Sequence, residues 1–255
     1  MISPGEGPYS AVAEEYYDAQ LHPTCSNFNR LSRAFIARHL IKHSAGRRML
    51  EVGGGESTVA PILAATGQPL ELLTVSDRSA AMLSHSQRWR SKGVELVVGN
   101  AEDLRGWASR AECVVSGLGD PYNTPVFWRQ LTAFLPPSGI VIFTLPSFEW
   151  AVRFRGEDLS DICSAEFLTR SGVRLRMPSY IPPLARQVEM MEESGLIVTD
   201  FEALGRDQLG ADPISPKLDG AHFEQSLLWG FIALKPAQPL PQGYRARWRE
   251  GLSSS

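Results

Sequence analysis

Glu51-Val52-Gly53-Gly54-Gly55 follows the apolar pair Met49-Leu50 and runs into Glu56-Ser57 and a second apolar stretch. An acid followed by three glycines suits a turn that lays a ligand on bare backbone, because glycine accepts positive φ and puts no Cβ in the way. A helix opening just beyond adds unpaired N–H groups and the positive end of its dipole. Glycines also close plain strand-to-helix turns, so this stretch alone decides nothing. Asp77 lies roughly 20 residues further on and can accept from two donors, as the two hydroxyls of a ribose require. Gly99-Asn100-Ala101-Glu102-Asp103-Leu104 offers polar edges to a purine base, and Ser116-Gly117-Leu118-Gly119 makes a second glycine opening. Together these groups have the chemistry to seat a nucleoside. No Gly-Lys-Ser/Thr follows the glycines, which removes a phosphate-gripping P-loop. Asp77 would suit the ribose of NAD equally well.

All four segments must sit at the carboxyl ends of strands. Strands are expected at 48–52, 71–75, 94–98, 112–116, 140–145, 196–204 and 226–234, with helices at 57–66, 79–92, 125–135 and 184–194. This alternation predicts an α/β fold with a seven-stranded, mostly parallel, doubly wound sheet and helices on both faces. Ligands of such sheets lie at the carboxyl edge. Ahead of the sheet, 1–8 is a loose Pro/Gly-rich start, and helices are expected at 11–20 and 27–43. Leu21-His22-Pro23-Thr24-Cys25 would form the proline turn between them, and Gly46 would close the second helix. Residues 146–182 break the alternation between the fifth and sixth strands and are too long for a bare loop. They read as an insertion over the carboxyl edge. The expected divisions are an N-terminal helical unit (1–44), the sheet domain (45–235) and a fraying tail (236–255).

With 255 residues, 43% hydrophobic and 21% charged, the chain can bury a sizeable core. The net charge of −3, with no Lys/Arg run longer than two, argues against a nucleic-acid partner. The start has neither a basic cluster nor an apolar run, and no stretch approaches the roughly 20 apolar residues of a membrane span. A cytoplasmic protein is expected, with no membrane partner. Cys25, Cys113 and Cys163 are odd in number and far apart, so neither a disulfide framework nor a metal site is expected.

Taken in order, the motifs resemble class I S-adenosylmethionine-dependent methyltransferases. Leu50 to Ser57 is similar to the family's acid and Gly-x-Gly-x-Gly motif, with Ser57 in place of the third glycine. Asp77-Arg78-Ser79-Ala80-Ala81-Met82-Leu83 resembles Asp-x-Ser-x-x-Met-Leu after the second strand. Gly99-Asn100-Ala101-Glu102-Asp103-Leu104 resembles Gly-Asp-Ala-Glu-Asp-Leu, with Asn100 replacing the usual acid. Residues 131–144, with Pro137-Ser138-Gly139 in the turn, resemble the Leu-x-Pro-Gly-Gly segment before the fifth strand. The likeness covers about 45–145, and the strand count extends it to 234. It implies S-adenosyl-L-methionine, rather than NAD, as the cofactor. The resemblance puts Glu51 and the backbone of Gly53, Gly54 and Gly55 by the methionine part, and Asp77 with its neighbour Arg78 at the ribose. Asn100, Ala101 and Glu102 would meet adenine, and Ser116 would border the sulfonium. Plainer roles stay open: Asp77 as a helix cap, Glu51 as a solvated strand end, Asn100 as a turn residue.

Methyl transfer is an in-line displacement at an activated carbon, so the protein mainly aligns the nucleophile and excludes water. An oxygen nucleophile often also needs a base. His22 and His222 are the candidates, each equally readable as a surface or cap histidine; His39, His43 and His85 read as structural. Tyr16, Tyr17, Tyr122, Trp150 and Tyr180 are candidate substrate-binding residues. Asp120-Pro121-Tyr122-Asn123 partly resembles the Asp-Pro-Pro-Tyr motif of amino-group methyltransferases, one proline short and about three residues late. Arg153, Arg155, Arg170, Arg174 and Arg176 would form a solvated face or grip an anion. The resemblance thus implies methyl transfer to an O or N nucleophile of a small-molecule substrate, such as a specialised metabolite. The other readings are a methyltransferase acting on RNA or a protein side chain, and a non-catalytic S-adenosylmethionine-binding protein. The sequence does not choose between monomer and homodimer.

Overall fold

The computed structural model describes residues 7–104, 111–155, 164–210, 214–219 and 226–238. Its helices are α1 Pro8–Val12, α2 Pro23–His43, α3 Val59–Ala65, α4 Ala80–Leu83, α5 Pro125–Phe134, α6 Phe148–Arg155, α7 Leu184–Glu193 and α8 Pro216–Asp219. Its strands are β1 Met49–Val52, β2 Leu73–Asp77, β3 Glu95–Val98, β4 Cys113–Ser116, β5 Ile140–Pro146, β6 Ser164–Leu168, β7 Arg174–Pro178, β8 Ile197–Leu204 and β9 Leu228–Leu234.

β1, β4 and β5 are the central strands, mostly apolar and buried at every position. Successive residues face opposite layers. Met49, Cys113, Val115 and Ile142 join one core cluster, while Leu50, Val114, Val141 and Phe143 join the other. The sheet order is β3-β2-β1-β4-β5-β9-β8. β1 to β5 pair in parallel, and β9 runs antiparallel between β5 and β8. This is the expected seven-stranded, mostly parallel α/β sheet. Chain order reverses between β1 and β4, so the crevice at their carboxyl ends is the switch point where such sheets hold ligands. No helix among the described residues is long and apolar enough to cross a membrane.

Local differences from the sequence expectations have physical causes. The second strand starts late, at Leu73, because Leu70–Leu72 winds into a 3-10 turn. The helix from Ser79 is α-helical for only four residues and continues as a 3-10 helix over Ser84–Lys92. Pro23 starts α2 instead of making a turn before it, since the first helical position needs no N–H and suits proline's fixed φ. α2 ends at His43 and is capped by Ser44, two residues before Gly46, which does adopt a positive φ of 69°. The helix expected at 11–20 is the shorter α1 followed by turns. Between β8 and β9, where no helix is expected, lies the short helix α8. The insertion contains α6 and an antiparallel hairpin, β6–β7, with Phe167 opposite Leu175.

The N-terminal unit divides in two. The α2 stripe Phe28, Leu31, Phe35, Ile36 and Leu40 is buried in the core on one sheet face. The segment ahead of α2 reaches over the carboxyl edge, with Asn29 of α2 beside it. Phe35 lies flat on β9, where a Cβ added to Gly230 would come within 2.5 Å of its ring. Replacing Phe35 by alanine is expected to cost about 3–5 kcal/mol. Gly230→Ala should also destabilise, and Phe35→Leu combined with Gly230→Ala should cost less than the two changes summed, because the smaller side chain relieves the clash. Urea unfolding of the four variants, Phe35→Leu alone included, checks this.

Candidate functional site

The turn after β1 is shaped from both sides. Gly53 and Gly55 take φ of 64° and 36°. A Cβ on Gly53 would lie 2.5 Å from the Tyr122 hydroxyl, and one on Gly55 would strike the Tyr17 hydroxyl. Beneath the turn, the buried Glu51 carboxylate accepts from the Ser57 hydroxyl, from Thr58 N at 2.7 Å and from Val59 N at 3.3 Å. It therefore caps the start of α3 and is no solvated strand end. Burial pushes its carboxyl up to about 7, against the opposite pull of those hydrogen bonds.

Asp77 spans the next crossing. One carboxylate oxygen accepts from Gly55 N at 3.1 Å and the other from Ser79 N at 2.8 Å. Capping of α4 falls to Ser79, whose hydroxyl accepts from Met82 N. Each Asp77 oxygen keeps lone-pair capacity for a further donor. Beside it, Asn100 Oδ1 accepts from Glu102 N at 3.1 Å, a turn role, and the Glu102 carboxylate accepts from the Thr124 hydroxyl. Ser116 is fully buried, with its hydroxyl 2.8 Å from that of Tyr122, which donates to Val52 O at 2.7 Å.

These residues meet at one cavity of about 180 Å³. Its walls include Glu51, Gly53, Gly54, Asp77, Arg78, Asn100, Ala101 and Glu102, with Tyr16, Tyr17 and Tyr122. Gly55 and Ser116 stand just behind, bonded to Asp77 and Tyr122. The cavity also takes in Leu118 of the glycine opening after β4, together with Tyr9, Asn29 and Pro178, which sequence reasoning missed. Tyr9 adjoins a start read as loose, though its 7-residue spacing from Tyr16 hinted at a shared face. Leu118 takes φ of 53° although it is not glycine. Its N–H donates to Thr144 Oγ1 at 3.0 Å, and Thr144 is 2.7 Å from the Ser32 hydroxyl of α2.

Other candidates lie elsewhere. His22 precedes α2 with its ring packed on Phe167, 4.1 Å between centroids, and 3.9 Å from the Glu15 carboxylate. It does not line the cavity, and burial lowers its pKa. His222 lies outside the described residues. Trp150 packs edge-on against Phe28, and Tyr180 packs against the core around Phe143, because both are absorbed into the seat of the insertion. Asp120 accepts from Ser179 through its carboxylate and from Tyr180 N through its carbonyl, while the Asn123 amide donates to Gln187. Of the Asp120–Asn123 stretch, only Pro121 and Tyr122 reach the cavity. Arg170 pairs with Asp18, Arg174 with Glu166, and Arg176 bonds Ser164, so these arginines serve the hairpin surface. The side chain of Arg155 is outside the described residues. His85 is structural but not remote: its ring contacts Tyr17 and its Nε2 lies 2.7 Å from Ala13 O, pinning the N-terminal segment.

No protein-family model matches the sequence, and no curated protein does. Solved structures do. A S-adenosylmethionine-dependent methyltransferase from Clostridium acetobutylicum is 11% identical with a TM-score of 0.60, covering 90% of this chain and 100% of its own. The CcbJ methyltransferase from Streptomyces caelestis is 17% identical with a TM-score of 0.56, covering 90% and 96%. The 1,6-didemethyltoxoflavin-N1-methyltransferase of Burkholderia thailandensis, with bound 1,6-didemethyltoxoflavin and S-adenosylhomocysteine, is 17% identical with a TM-score of 0.52, covering 92% and 93%. The chain has the class I methyltransferase fold. On that fold the glycine turn, Asp77 and Asn100 stand at the ends of three adjacent parallel strands, β1, β2 and β3.

Glu51 makes stability depend on pH. Its carboxyl is raised from the ordinary 4.5 to about 7 by folding, so between those values the native state holds a proton that the unfolded chain has released. Stability should be full below about 4.5 and fall by up to about 1.4 kcal/mol per pH unit until the folded value is passed. Glu51→Gln should flatten that slope in urea unfolding measured across the window.

Proposed function

We propose that the protein transfers the methyl group of S-adenosyl-L-methionine to an oxygen or nitrogen of a small molecule. The observation that carries this reading is the meeting of the glycine turn, Asp77 and Asn100 in one cavity at the switch point of a class I methyltransferase fold. The residues fit the donor. Asp77 has acceptor capacity left for a ribose diol, and Gly53 exposes its backbone beside it. Asn100 stands where an adenine edge would lie, and Arg78 and Glu102 flank it. When bound, the donor supplies a methyl carbon already activated by a positive sulfur.

What remains for the chain is to exclude water and align the acceptor. Residues 7–17 lie across the mouth. Ser10 bonds Ser79 at 2.8 Å, the Tyr17 hydroxyl accepts from Glu56 N at 2.7 Å, and the Glu15 carboxylate accepts from Arg170 N at 2.9 Å. These contacts support a cover made jointly by the N-terminal segment and the insertion hairpin. The neighbour named for 1,6-didemethyltoxoflavin supports a small acceptor, and the net charge of −3 points the same way.

Calorimetry tests the core of the reading. The wild-type protein should bind S-adenosylmethionine and S-adenosylhomocysteine. Asp77→Ala should weaken both by about tenfold or more, the loss of hydrogen bonds to a charged acceptor. No binding by the wild type would overturn the proposed donor.

A further inference from the structure

The cavity wall is divided by charge. Every formally charged residue lining it, namely Glu51, Glu56, Asp77, Arg78 and Glu102, belongs to β1, β2 or the loops after β1, β2 and β3, where the nucleoside is proposed to lie. The remaining wall comes from the N-terminal segment, the first turns of α2, the loop after β4 and the end of β7. It consists chiefly of Tyr9, Tyr16, Asn29, Leu118, Pro121 and Pro178, and none of these carries a formal charge. A charged molecule seated there would give up its hydration with no opposite charge on the wall itself to pair with, a cost far larger than that of a satisfied neutral group; Asp120, whose charge reaches Tyr9 and Tyr16, lies behind the wall bonded to Ser179.

The neutral wall is also aromatic and has polar groups to spare. Tyr9 and Tyr16 meet edge-to-face at 5.9 Å, and Tyr16 stacks on Phe167 at 5.9 Å with planes 11° apart, so the rings are held rigidly. Tyr122 adds a third ring, whose hydroxyl is already committed to Val52 and Ser116. The hydroxyls of Tyr9 and Tyr16 and the amide of Asn29 have no hydrogen-bond partner among the described residues. Burial holds both phenols well above the ordinary tyrosine value, so they stay protonated and able to donate. Rigid rings with free hydroxyls select flat ligands with a polar edge.

We infer that the methyl acceptor is a planar, uncharged aromatic compound with a hydroxyl or ring N–H, gripped through the hydroxyls of Tyr9 and Tyr16; this rests on the methyl-transfer reading above. In the transfer, a lone pair of the acceptor's oxygen or nitrogen forms the new bond to the methyl carbon. The carbon–sulfur bond breaks, its electron pair stays on sulfur, and the acceptor's proton passes to water. Tyr9 and Tyr16 act as specificity-determining residues.

The test compares three probes of one shape by calorimetry, with and without S-adenosylhomocysteine: 2-naphthol, the anion naphthalene-2-sulfonate and the cation 2-naphthylmethylammonium. 2-Naphthol should bind at least about tenfold tighter than either ion. Tyr9→Phe and Tyr16→Phe should each weaken 2-naphthol several-fold while leaving S-adenosylhomocysteine affinity unchanged. Equal or tighter binding of an ion, no binding of 2-naphthol, or 2-naphthol affinity untouched in both variants would overturn the inference. The S-adenosylhomocysteine isotherm is read separately. Its absence overturns the donor, while the titrations of unliganded protein still judge the acceptor wall.

Discussion

The site depends on two carboxylates being spent on backbone N–H groups. Glu51 holds the start of α3 from below, and Asp77 ties Gly55 to the opening of α4. A turn of three glycines would otherwise have wide conformational freedom and a large entropy to lose on ordering. With both acids in place it is pinned at its two ends, and the chain between them lies bare to the crevice. The acid that leads the glycines is thus first a structural cap, and any ligand contact it makes comes second to that. Asp77 combines the two roles, because each oxygen uses only one lone pair internally.

The opposite wall depends on a different interaction. Thr144 in β5 accepts from Leu118 N and touches Ser32 of α2, and its carbonyl accepts from Gly119 N. This small polar knot lies in the core, where an unpaired member would be costly. It holds Leu118 in a left-handed conformation that disfavours a branched side chain, a strain of about 1–3 kcal/mol. The strained residue lies on the cavity wall, as stored strain commonly does. α2, through Ser32, thereby positions the floor of the acceptor wall while its apolar stripe anchors the sheet.

Much of the fold was legible because it rests on period. Runs such as Cys113-Val114-Val115 and Ile140-Val141-Ile142 leave no polar face, so they had to be central strands. The nucleoside half of the site was legible as well, since glycines and an acid at strand ends have few other uses. The acceptor half was not. Arg174-Leu175-Arg176-Met177 alternates as a strand should, but its arginines drew attention to charge and away from the inward Leu175 and Met177 that pack on the N-terminal segment. Tyr9 escaped notice because prolines and glycines precede it. His22 and Trp150 showed the reverse error: residue types that suggest chemistry were taken up by packing on Phe167 and Phe28. Local pattern reveals which elements form, whereas contacts between distant segments decide which side chains meet.

One of those distant contacts bears on how the protein assembles. Arg170 N and the Glu15 carboxylate that receives it are 155 residues apart. The segment over the cavity can therefore be seated only after the fifth strand, which its seat follows. Closing so long a loop costs entropy that the burial of Val12 against Phe167 and Met177 helps to repay. The sheet and α2 can complete their cores without it. A cover hung on the hairpin is thus assembled after the frame that it closes.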